Sequence, residues 1–450
     1  MQETLTLIVG LGKTGQSIAR HLSRIQSPFV VFDTREDPPD LSSFKETFPE
    51  VDIFLASLPE TVYPMLKEII CSPGVPYDDP VLIKARSFDI PVIGDIECLA
   101  RVVTAPVIAI TGTNGKSTVT TLVGLMAKSA GLLVAVAGNI GTPVLDFLAE
   151  GLHYDLWVLE LSSFQLDLTS SLVPLAATIL NVSPDHLDRH HTLEAYLQAK
   201  QRVYRGAKRM LYNREDAQTY PDGGYLSPGM SVGSYGLDAP NHEDAWGILC
   251  DEAGTPWLSR GQQRILSVEA LRIKGRHNWL NAIAACALAE SMDVSIQVMK
   301  DVLTEFTGLP HRCQWVRTLE GVEWINDSKG TNIGATISAI AGIGGAIEGK
   351  IVLLAGGQGK GADFSLLRNA MSDHVRAVVL FGEDAPQLQE ALSDLVPVVR
   401  ASSLEEAIDK ARSQGLSGDV VLLSPACASF DMFHDFNHRG EVFVERVKAL

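Results

Sequence analysis

Residues 111–118 read TGTNGKST, between an apolar run at 106–110 and a helical pattern at 119–128. Backbone N–H groups at such a turn, and at the helix N-terminus that follows it, point toward an anion. Lys116 adds a positive charge, and the Ser117 hydroxyl is suited to a magnesium ion held between phosphates. Only two residues separate the glycines, where the usual P-loop has four, so the segment predicts a phosphate site without indicating a general NTPase. The alternative is a glycine-rich surface turn.

Composition limits the class of protein. The chain has 450 residues, enough for about three domains, with 46% apolar residues and a net charge of −17. This charge argues against binding to nucleic acid or to an acidic membrane surface. No apolar run approaches the roughly 20 residues of a membrane span, and we find no export signal near the start. The six cysteines are scattered, without a C-x-x-C pair, which favours reduced thiols in the cytoplasm.

The first segment, residues 1–94, carries a dinucleotide-type turn. A strand pattern at 5–9 leads into GLGKTG at 10–15, and a second strand ends at Asp33. This is the Rossmann fingerprint, which indicates a diphosphate next to a ribose. The fingerprint does not identify the base, so NAD and a UDP compound both fit, and a turn without a ligand is the alternative. The Ser-Pro-Gly loop at 72–74 is a second candidate wall of this site.

The middle segment, residues 95–307, places polar residues after buried strands. Glu160 ends the apolar run 156–160, where a magnesium ligand is expected opposite a phosphate loop, although an edge carboxylate is equally consistent. His186 lies in the loop after the next strand, beside Asp185 and Asp188. A lone histidine is more often a surface residue than a ligand. The sequence alone predicts that Lys200 is a solvated helix residue.

The rest of the middle segment is less informative. Residues 213–270 predict short antiparallel strands, to which we assign no chemistry. GRHNWLNA at 275–282 then begins a strong helix. Its amides, Asn278 and Asn281, suit adenine recognition or a capped turn equally well.

The last segment, residues 308–450, again alternates strands with helices, which predicts a third doubly wound unit. Polar residues follow its strands in five places, including NDSKGTN at 326–332, GGQGK at 356–360 and SPACASFD at 424–431. Such residues at one edge of a parallel sheet favour a second face for a ligand. The predicted fold class is therefore α/β, with a Rossmann-like N-terminal domain, a central P-loop ATPase-like domain and a C-terminal Rossmann-like domain.

Taken together, these motifs resemble the muramyl ligases, and within them the members that add D-glutamate. The resemblance rests on TGTNGKST, GNIG, ELSSFQL, NVSPDHLDRH, the lysine of YLQAK, GRHNWLNA, GLPHR, NDSKGTN and SPACASFD, and it extends from Gly10 to Arg439. It implies ATP-dependent peptide-bond formation, in which a substrate carboxylate takes the γ-phosphate and the amine of D-glutamate then displaces phosphate. The acceptor would be UDP-N-acetylmuramoyl-L-alanine, a cytoplasmic precursor of peptidoglycan.

The resemblance also implies a set of site residues. Catalytic roles would fall to Lys116, Glu160, His186 and Lys200, and two Mg²⁺ ions would be held by Ser117, Glu160, His186 and a carbamylated Lys200. A carbamate is an oxygen-donor anion, which a hard metal needs and an ammonium cannot supply. ATP would contact Gly112, Thr113, Asn114, Gly115, Lys116, Ser117, Thr118, Asn278, Asn281, Arg312, Asp327 and Lys329. The UDP-sugar would contact Gly12, Lys13, Thr14, Asp33, Thr34, Arg35, Gly74 and Asn139. D-Glutamate would contact His186, Thr331, Lys360, Ser429 and Phe436.

Two positions depart from the family pattern. Gln358 replaces an acidic residue common in relatives, and Gly330 replaces an alanine, a change that we expect to be conservative. Competing interpretations are a sister ligase for another amino acid, an NAD-dependent oxidoreductase based on the first turn, and a nucleotide-binding scaffold without activity. We further expect a monomer whose small-molecule partners bind between domains that close on hinges.

Overall fold

The structure is a computed structural model and describes residues 4–183, 185–273, 275–359 and 361–450. Lys360, a predicted D-glutamate contact, lies outside the described residues. Contacts divide the chain into two compact units. One comprises Met1–Leu249, Ser259–Ile265 and Asn281–Met299, and the other comprises Cys250–Leu258, Leu266–Leu280 and Lys300–Leu450.

The first sheet has the parallel order β3-β2-β1-β4-β5. Its strands are β1 Leu5–Val9, β2 Phe29–Asp33, β3 Ile53–Leu55, β4 Leu66–Cys71 and β5 Val92–Ile93, and its helices are α1 Lys13–Arg24, α2 Leu41–Thr47 and α3 Pro80–Ser87. The strand order reverses at β1 and β4, and ligands of open α/β sheets bind at the carboxyl ends of such strands. The predicted Gly10–Gly15 turn follows β1, and the Ser72–Gly74 loop follows β4. The Rossmann-like fold predicted for this segment is confirmed.

The second sheet is built around β6, with β9 on one side and β8 then β7 on the other, all parallel. The strands of this region are β6 Val107–Thr111, β7 Val134–Gly138, β8 Leu156–Glu160, β9 Ala176–Ile179, β10 Arg209–Asn213, β11 Ser231–Tyr235, β12 Trp246–Cys250, β13 Pro256–Arg260 and β14 Gln263–Ser267. Its helices are α4 Asp95–Ala100, α5 Lys116–Ser129, α6 Val144–Ala149, α7 Ser163–Asp167, α8 Leu187–His190, α9 Leu193–Gln201, α10 Arg276–Glu290 and α11 Ile296–Glu305.

The antiparallel pairing predicted within 213–270 is wrong for its first strands. β11 pairs in parallel with β10, and β12 pairs in parallel with β11. Short strands separated by Gly and Pro have the same sequence pattern in parallel and in antiparallel pairs. The direction of pairing depends on the neighbouring strand, which the pattern does not identify. These strands therefore extend the parallel sheet from β9 outward.

The first two sheets share an apolar core within their unit. Ile8 and Ile18 belong to the same buried cluster as Val107 and Trp157. At the edge of this core, Arg20 of α1 forms an ion pair of 2.7 Å with Asp146 of α6. The two sheets are thus held together by buried apolar side chains and by an ion pair at the surface.

The third sheet lies in the other unit and has the order β15-β16-β20-β17-β18-β19. Its strands are β15 Gln314–Leu319, β16 Val322–Asn326, β17 Ile351–Gly356, β18 Val375–Phe381, β19 Val398–Arg400 and β20 Val420–Leu423, and its helices are α12 Ile333–Gly344, α13 Arg368–His374, α14 Ala385–Leu392, α15 Leu404–Gln414 and α16 Phe436–Ala449. Apolar clusters cover both faces, as expected for a doubly wound sheet. β15 pairs antiparallel with β16 and adds an edge strand that the motifs did not indicate. Across the described parts of all three regions, no helix has the combination of length and apolar character needed to cross a bilayer.

A buried carboxyl lies at the start of α4, where the chain passes from the first sheet to the second. Asp95 is 4% exposed, and its Oδ1 atom has no hydrogen-bond partner among the described residues. Burial raises the pKa of Asp95 to about 6, against the hydrogen bonds from Ile96 and Gln165. The folded state therefore holds this proton more tightly than the unfolded chain does.

The Asp95→Asn variant tests this pKa. Because the folded pKa is raised, wild-type stability falls as the pH rises from about 4 through about 6, by up to about 3 kcal/mol. The amide side chain of the variant cannot ionise, so we expect the melting temperature of D95N relative to wild type to increase between pH 5 and pH 8. Thermal unfolding of both proteins at both pH values measures this difference in melting temperature. The control is Asp78→Asn, at an exposed position shortly before α3. A difference that does not change with pH would contradict the assignment.

Candidate active site

Three loops meet at the carboxyl edge of the second sheet, because β6 lies between β8 and β9 in the parallel order. The TGTNGKST loop follows β6, Glu160 ends β8, and the loop containing His186 follows β9. The expectation that these three strand ends face a common edge agrees with this order. Polar groups from distant parts of the chain are thereby collected beside the N-terminus of α5.

The TGTNGKST loop depends on two glycines with positive φ, Gly112 at 147° and Gly115 at 81°. Gly115 is the N-cap of α5, and a methyl group there would lie 2.5 Å from Oδ1 of Asn281. Asn281, predicted to contact ATP, therefore lies against the phosphate loop. On the other side, the Asn114 amide donates to the Asn181 side chain at 2.8 Å, which ties the loop to the end of β9.

Two lysines donate to one backbone oxygen of this loop. Nζ of Lys116 lies 3.0 Å from the Gly112 carbonyl oxygen and 2.9 Å from that of Thr113. Nζ of Lys200 lies 2.9 Å from the same Gly112 oxygen. Two cations beside one carbonyl oxygen repel each other, so the arrangement is suited to an anion at this point or to the loss of one positive charge.

The prediction that Lys200 is a solvated helix residue is wrong. Its side chain is 1% exposed, and its Nζ lies 4.3 Å from the centroid of the Tyr196 ring. Burial, followed by the charge of Lys116, lowers the pKa of Lys200 to about 7, although Asp185 opposes the shift. A substantial neutral fraction is therefore expected near pH 7, and a neutral amine is the form that reacts as a nucleophile.

Glu160 presents a carboxylate oxygen without a partner. The residue is 2% exposed, and its Oε1 accepts a 2.9 Å hydrogen bond from Nδ2 of Asn139. Its Oε2 is buried without any hydrogen-bond partner in the described structure. A buried carboxylate oxygen of this kind requires a cation or a donor, so Glu160 fits a divalent metal ion.

The described residues contain no group of three or more His, Cys, Asp and Glu side chains arranged to hold a metal. Mg²⁺ is commonly bound by one or two carboxylates, with phosphate oxygens and water completing its shell. Glu160 together with the Ser117 hydroxyl on the first turn of α5 agrees with that pattern. These two residues supply part of a magnesium shell, which phosphate oxygens and water would complete.

His186 is more exposed than the other predicted catalytic residues, with 48% of its side chain accessible. It adopts a φ of 52°, and its ring centroid lies 5.0 Å from that of Phe164. Its Nε2 lies 3.6 Å from a carboxylate oxygen of Asp185. The imidazole is therefore accessible for a ligand at the edge of the sheet.

The dinucleotide-type turn after β1 is organised by Asp33. Its Oδ2 accepts the Leu11 amide at 2.8 Å, and both of its oxygens accept from the Arg35 guanidinium at 2.8 and 2.9 Å. Burial raises the pKa of Asp33, but the hydrogen bonds from Arg35 and Leu11 outweigh it and leave the pKa lowered. Asp33 is thus an ionised anchor of the turn. Gly12 is the N-cap residue of α1, and Lys13 and Thr14 are the first two residues of that helix.

The second unit contains the other predicted ATP contacts. Asp327 directly follows β16. Its carboxylate accepts hydrogen bonds from the Ser424 hydroxyl at 2.7 Å and from the Cys313 amide at 3.1 Å. Burial raises the pKa of Asp327 to about 6. Lys329 is exposed, with its Nζ 5.3 Å from the Phe436 ring centroid, and Arg312 is also exposed. Asn278, on the first turn of α10, is buried.

Arg439 holds the two loops that carry Thr331 and Ser429, two of the predicted D-glutamate residues. This guanidinium is 0% exposed and donates to the backbone oxygens of Ser328, Cys427 and Ala428 at 2.8 to 3.3 Å. It thereby joins the loop after β16 to the loop after β20. Ser429 is buried on that second loop, Phe436 begins α16, and Thr331 precedes α12.

The structure shows the surroundings of the two positions that depart from the family pattern. A methyl group at Gly330 would lie 2.6 Å from Oδ2 of Asp327 and 2.6 Å from Oγ of Ser424. An alanine is therefore not accommodated without movement here, contrary to the expectation of a conservative change. Gln358 exchanges backbone hydrogen bonds with Ala428 at 3.0 and 2.9 Å, which join the loops after β17 and β20 and do not depend on its side chain. Its Nε2 donates to Oε2 of Glu383 at 3.4 Å.

Two residues were missed by the sequence analysis. Tyr196 precedes Lys200 by one helical turn, and its hydroxyl lies 3.3 Å from Oγ1 of Thr113. The i, i+4 spacing indicates a shared helix face, although burial of that face could not be read from it. Arg439 was noted only as the end of the resemblance, since a single arginine in a polar helix is typical of a surface.

Comparison with known proteins supports these observations. Three family models match in chain order: the Mur ligase MurD-like N-terminal domain at 4–94, the Mur ligase middle domain at 110–289, and the Mur ligase glutamate ligase domain at 311–427. The chain belongs to the Mur ligase family. A relative from Legionella pneumophila (strain Paris), named UDP-N-acetylmuramoylalanine--D-glutamate ligase, is 61% identical over 450 residues, covering 100% of both chains. A relative of the same name from Pseudomonas aeruginosa is 46% identical, covering 99% of this chain and 98% of its own.

Solved structures show that this Mur ligase shares the family fold. A UDP-N-acetylmuramoyl-L-alanyl-D-glutamate--2,6-diaminopimelate ligase aligns with a TM-score of 0.59 at 19% identity, covering 99% of this chain and 93% of the other. The MurC ligase of Thermotoga maritima, named UDP-N-acetylmuramate-alanine ligase, aligns with a TM-score of 0.55 at 17% identity, covering 99% of each chain. The predicted three-domain α/β fold class is confirmed by these comparisons.

Proposed function

We propose that this Mur ligase joins D-glutamate to UDP-N-acetylmuramoyl-L-alanine and converts ATP to ADP and phosphate, a step of peptidoglycan precursor synthesis. The full-length similarity to relatives that carry this name is the observation on which the proposal depends. The TGTNGKST loop supplies the physical requirement, a nucleotide-phosphate site beside a buried carboxylate. We further propose domains at 1–94, 95–307 and 308–450, a monomer, and a cytoplasmic location.

The proposed chemistry assigns separate tasks to the described residues. Lys116 and the loop amides neutralise and orient the β- and γ-phosphates, which is the main requirement of phosphoryl transfer. Ser117 and Glu160 hold one Mg²⁺, and His186 with a carbamylated Lys200 holds a second. These ions supply charge neutralisation at the transferred phosphoryl group and the substrate carboxylate. The carboxylate of the L-alanyl group attacks the γ-phosphorus, ADP leaves, and the D-glutamate amine displaces phosphate from the acyl phosphate.

Substrate binding is assigned to the turns of the first and third sheets. The UDP-sugar binds at Gly12, Lys13, Thr14, Thr34, Arg35 and Gly74, with Asp33 holding the turn and Asn139 next to Glu160. ATP also contacts Asn278, Asn281, Arg312, Asp327 and Lys329. Thr331, Ser429, Phe436 and Lys360 bind D-glutamate, since a lysine and hydroxyl groups suit its two carboxylates.

An amino-acid panel tests the proposal. Phosphate release is measured with ATP, Mg²⁺ and UDP-N-acetylmuramoyl-L-alanine, and each amino acid is added in turn. We expect release with D-glutamate at least about a hundredfold above L-glutamate, since a site that pairs both carboxylates rejects a misplaced one. L-Alanine with UDP-N-acetylmuramate is the control for a sister ligase. Release only in that control would contradict the substrate assignment, and ATP binding without turnover on any acceptor would favour a scaffold.

The first turn, taken alone, is also consistent with an NAD-dependent oxidoreductase. That function leaves the phosphate loop and the unpartnered Glu160 oxygen without a role. NADH binding together with no ATP turnover would favour it over the ligase.

A further inference from the structure

The loop after β4 is held from the second sheet by one arginine. Arg189 donates from its guanidinium to the carbonyl oxygens of Gly74 at 3.1 Å and Val75 at 2.8 Å, with a longer contact of 3.5 Å to Pro73. These carbonyls belong to the 72–75 segment, hereafter the SPG loop, within the same compact unit as Arg189. The two partners lie far apart in the sequence, so the contact arises only on folding.

Arg189 is part of the helical turn that begins directly after His186. The amides of Arg189 and His190 both donate to the His186 carbonyl oxygen at 3.0 Å. The guanidinium lies 4.4 Å from the Phe164 ring centroid. His190 stacks on the Phe164 ring with centroids 5.4 Å apart, and its Nε2 lies 2.9 Å from the Ser163 hydroxyl. The turn α8 is therefore attached to the SPG loop on one side and to the start of α7, shortly after Glu160, on the other.

We propose that Arg189 is a positioning residue that couples the SPG loop to His186, so that UDP-sugar binding at the loop and metal binding at His186 strengthen each other. The inference rests on the proposed function, which assigns the UDP-sugar to Gly74 and a metal ion to His186. It concerns a residue that the proposed function assigns to neither ligand. Arg189 acts on both through the two backbone segments that it joins.

The chemistry of the side chain supports this role. A guanidinium presents several N–H donors in a planar fork, so one side chain can hold neighbouring carbonyls in a defined arrangement. Its flat face also packs on an aromatic ring. When a ligand orders the SPG loop, the carbonyl oxygens become fixed, and the turn that carries Arg189 loses freedom with them. Coupling between two binding sites is reciprocal, so metal binding at His186 must favour the loop conformation by the same factor.

Binding measurements on three variants test the coupling. Isothermal titration calorimetry gives the Kd of UDP-N-acetylmuramoyl-L-alanine in EDTA and in Mg²⁺, and the ratio is the coupling factor. We expect wild type to bind about fivefold or more tightly in Mg²⁺, the usual lower range for coupled sites. Arg189→Met and Arg189→Lys should bring the ratio well below the wild-type value and raise the KM for the UDP-sugar, with little change in the KM for ATP. The direct attraction between Mg²⁺ and the substrate carboxylate does not depend on Arg189, so it keeps the ratio above one. Arg20→Met is the matched control, because Arg20 also joins α1 to α6 by an ion pair of 2.7 Å.

The outcomes separate this proposal from the proposed function. A wild type that does not bind the UDP-sugar contradicts the function itself. A wild type that binds it equally in EDTA and Mg²⁺ overturns the coupling. A wild-type ratio retained in R189K and R189M overturns the role of Arg189, even where both variants bind more weakly. R189K keeps the charge and most of the volume, so it stays informative where R189M does not fold.

Discussion

We expect Lys116→Ala to abolish phosphate release and to leave UDP-sugar binding unchanged. Lys116 is the first residue of α5, and its Nζ already lies on the phosphate loop, 3.0 Å from the Gly112 oxygen. In the proposed reaction the Lys116 ammonium group contacts the β- and γ-phosphates and neutralises the negative charge that develops as the phosphoryl group is transferred. Removal of a comparable cationic group from phosphoryl-transfer sites costs about a thousandfold or more in rate.

The measurement pairs a phosphate-release assay with calorimetry of the UDP-sugar. Lys128→Ala is the matched control, since Lys128 is an exposed lysine on the last turn of the same helix. We expect K128A to retain both activity and affinity. Loss of UDP-sugar affinity in K116A would show that the two sites are not separate, and turnover close to wild type would remove Lys116 from the phosphate site.

The second large effect is expected from Lys200→Ala. In the proposed enzyme, the neutral amine of Lys200 would add to CO₂ and release one proton. The carbamate so formed would remove the repulsion between Lys200 and Lys116 on the Gly112 oxygen. Because burial lowers the pKa of Lys200 to about 7, the reactive neutral form increases as the pH rises through 7. We therefore expect K200A to lose activity by about a hundredfold or more, since the proposed metal ligand is missing, and we expect a small carboxylic acid to restore part of it.

Two measurements check this carbamate. Phosphate release of K200A is recorded with and without added acetate or formate, and ¹³C NMR after equilibration with ¹³C-bicarbonate detects the carbamate in wild type. The control is Lys208→Ala, which alters an exposed lysine near the start of β10. Full activity of K200A, or the same ¹³C signal in wild type and K200A, would contradict the carbamate role.

These two predictions depend on different kinds of information. Lys116 was predicted from eight consecutive residues, because a glycine turn and a helix N-terminus bind anions whatever surrounds them. Lys200 was predicted to be solvated, since the helix that carries it has no strong apolar face to indicate burial. Only the structure shows that the loop after β6 and the ring of Tyr196 enclose it.

The same distinction applies to the carboxylates. The position of Glu160 at the end of an apolar strand could be read directly, whereas its unpartnered Oε2 could not. Asp33 was predicted at the end of β2, where the structure places it, but the hydrogen bonds that it accepts from Leu11 and Arg35 depend on the packing of the turn after β1. Parallel pairing of β10, β11 and β12 likewise contradicted the strand pattern, because composition does not encode direction.

Contiguous motifs thus determined the α/β class, the two phosphate-type turns and most of the candidate residues, because a turn and the helix after it are set by neighbouring backbone geometry. The tertiary structure alone decided that Lys116 and Lys200 share one carbonyl oxygen, that Arg189 holds the SPG loop, and that Arg439 is buried between two loops. The contacts of Lys200, Arg189 and Arg439 join residues that are far apart in the sequence. The burial of these side chains and the short distances between their charges arise from tertiary packing, so the spacing of residues along the chain does not predict them.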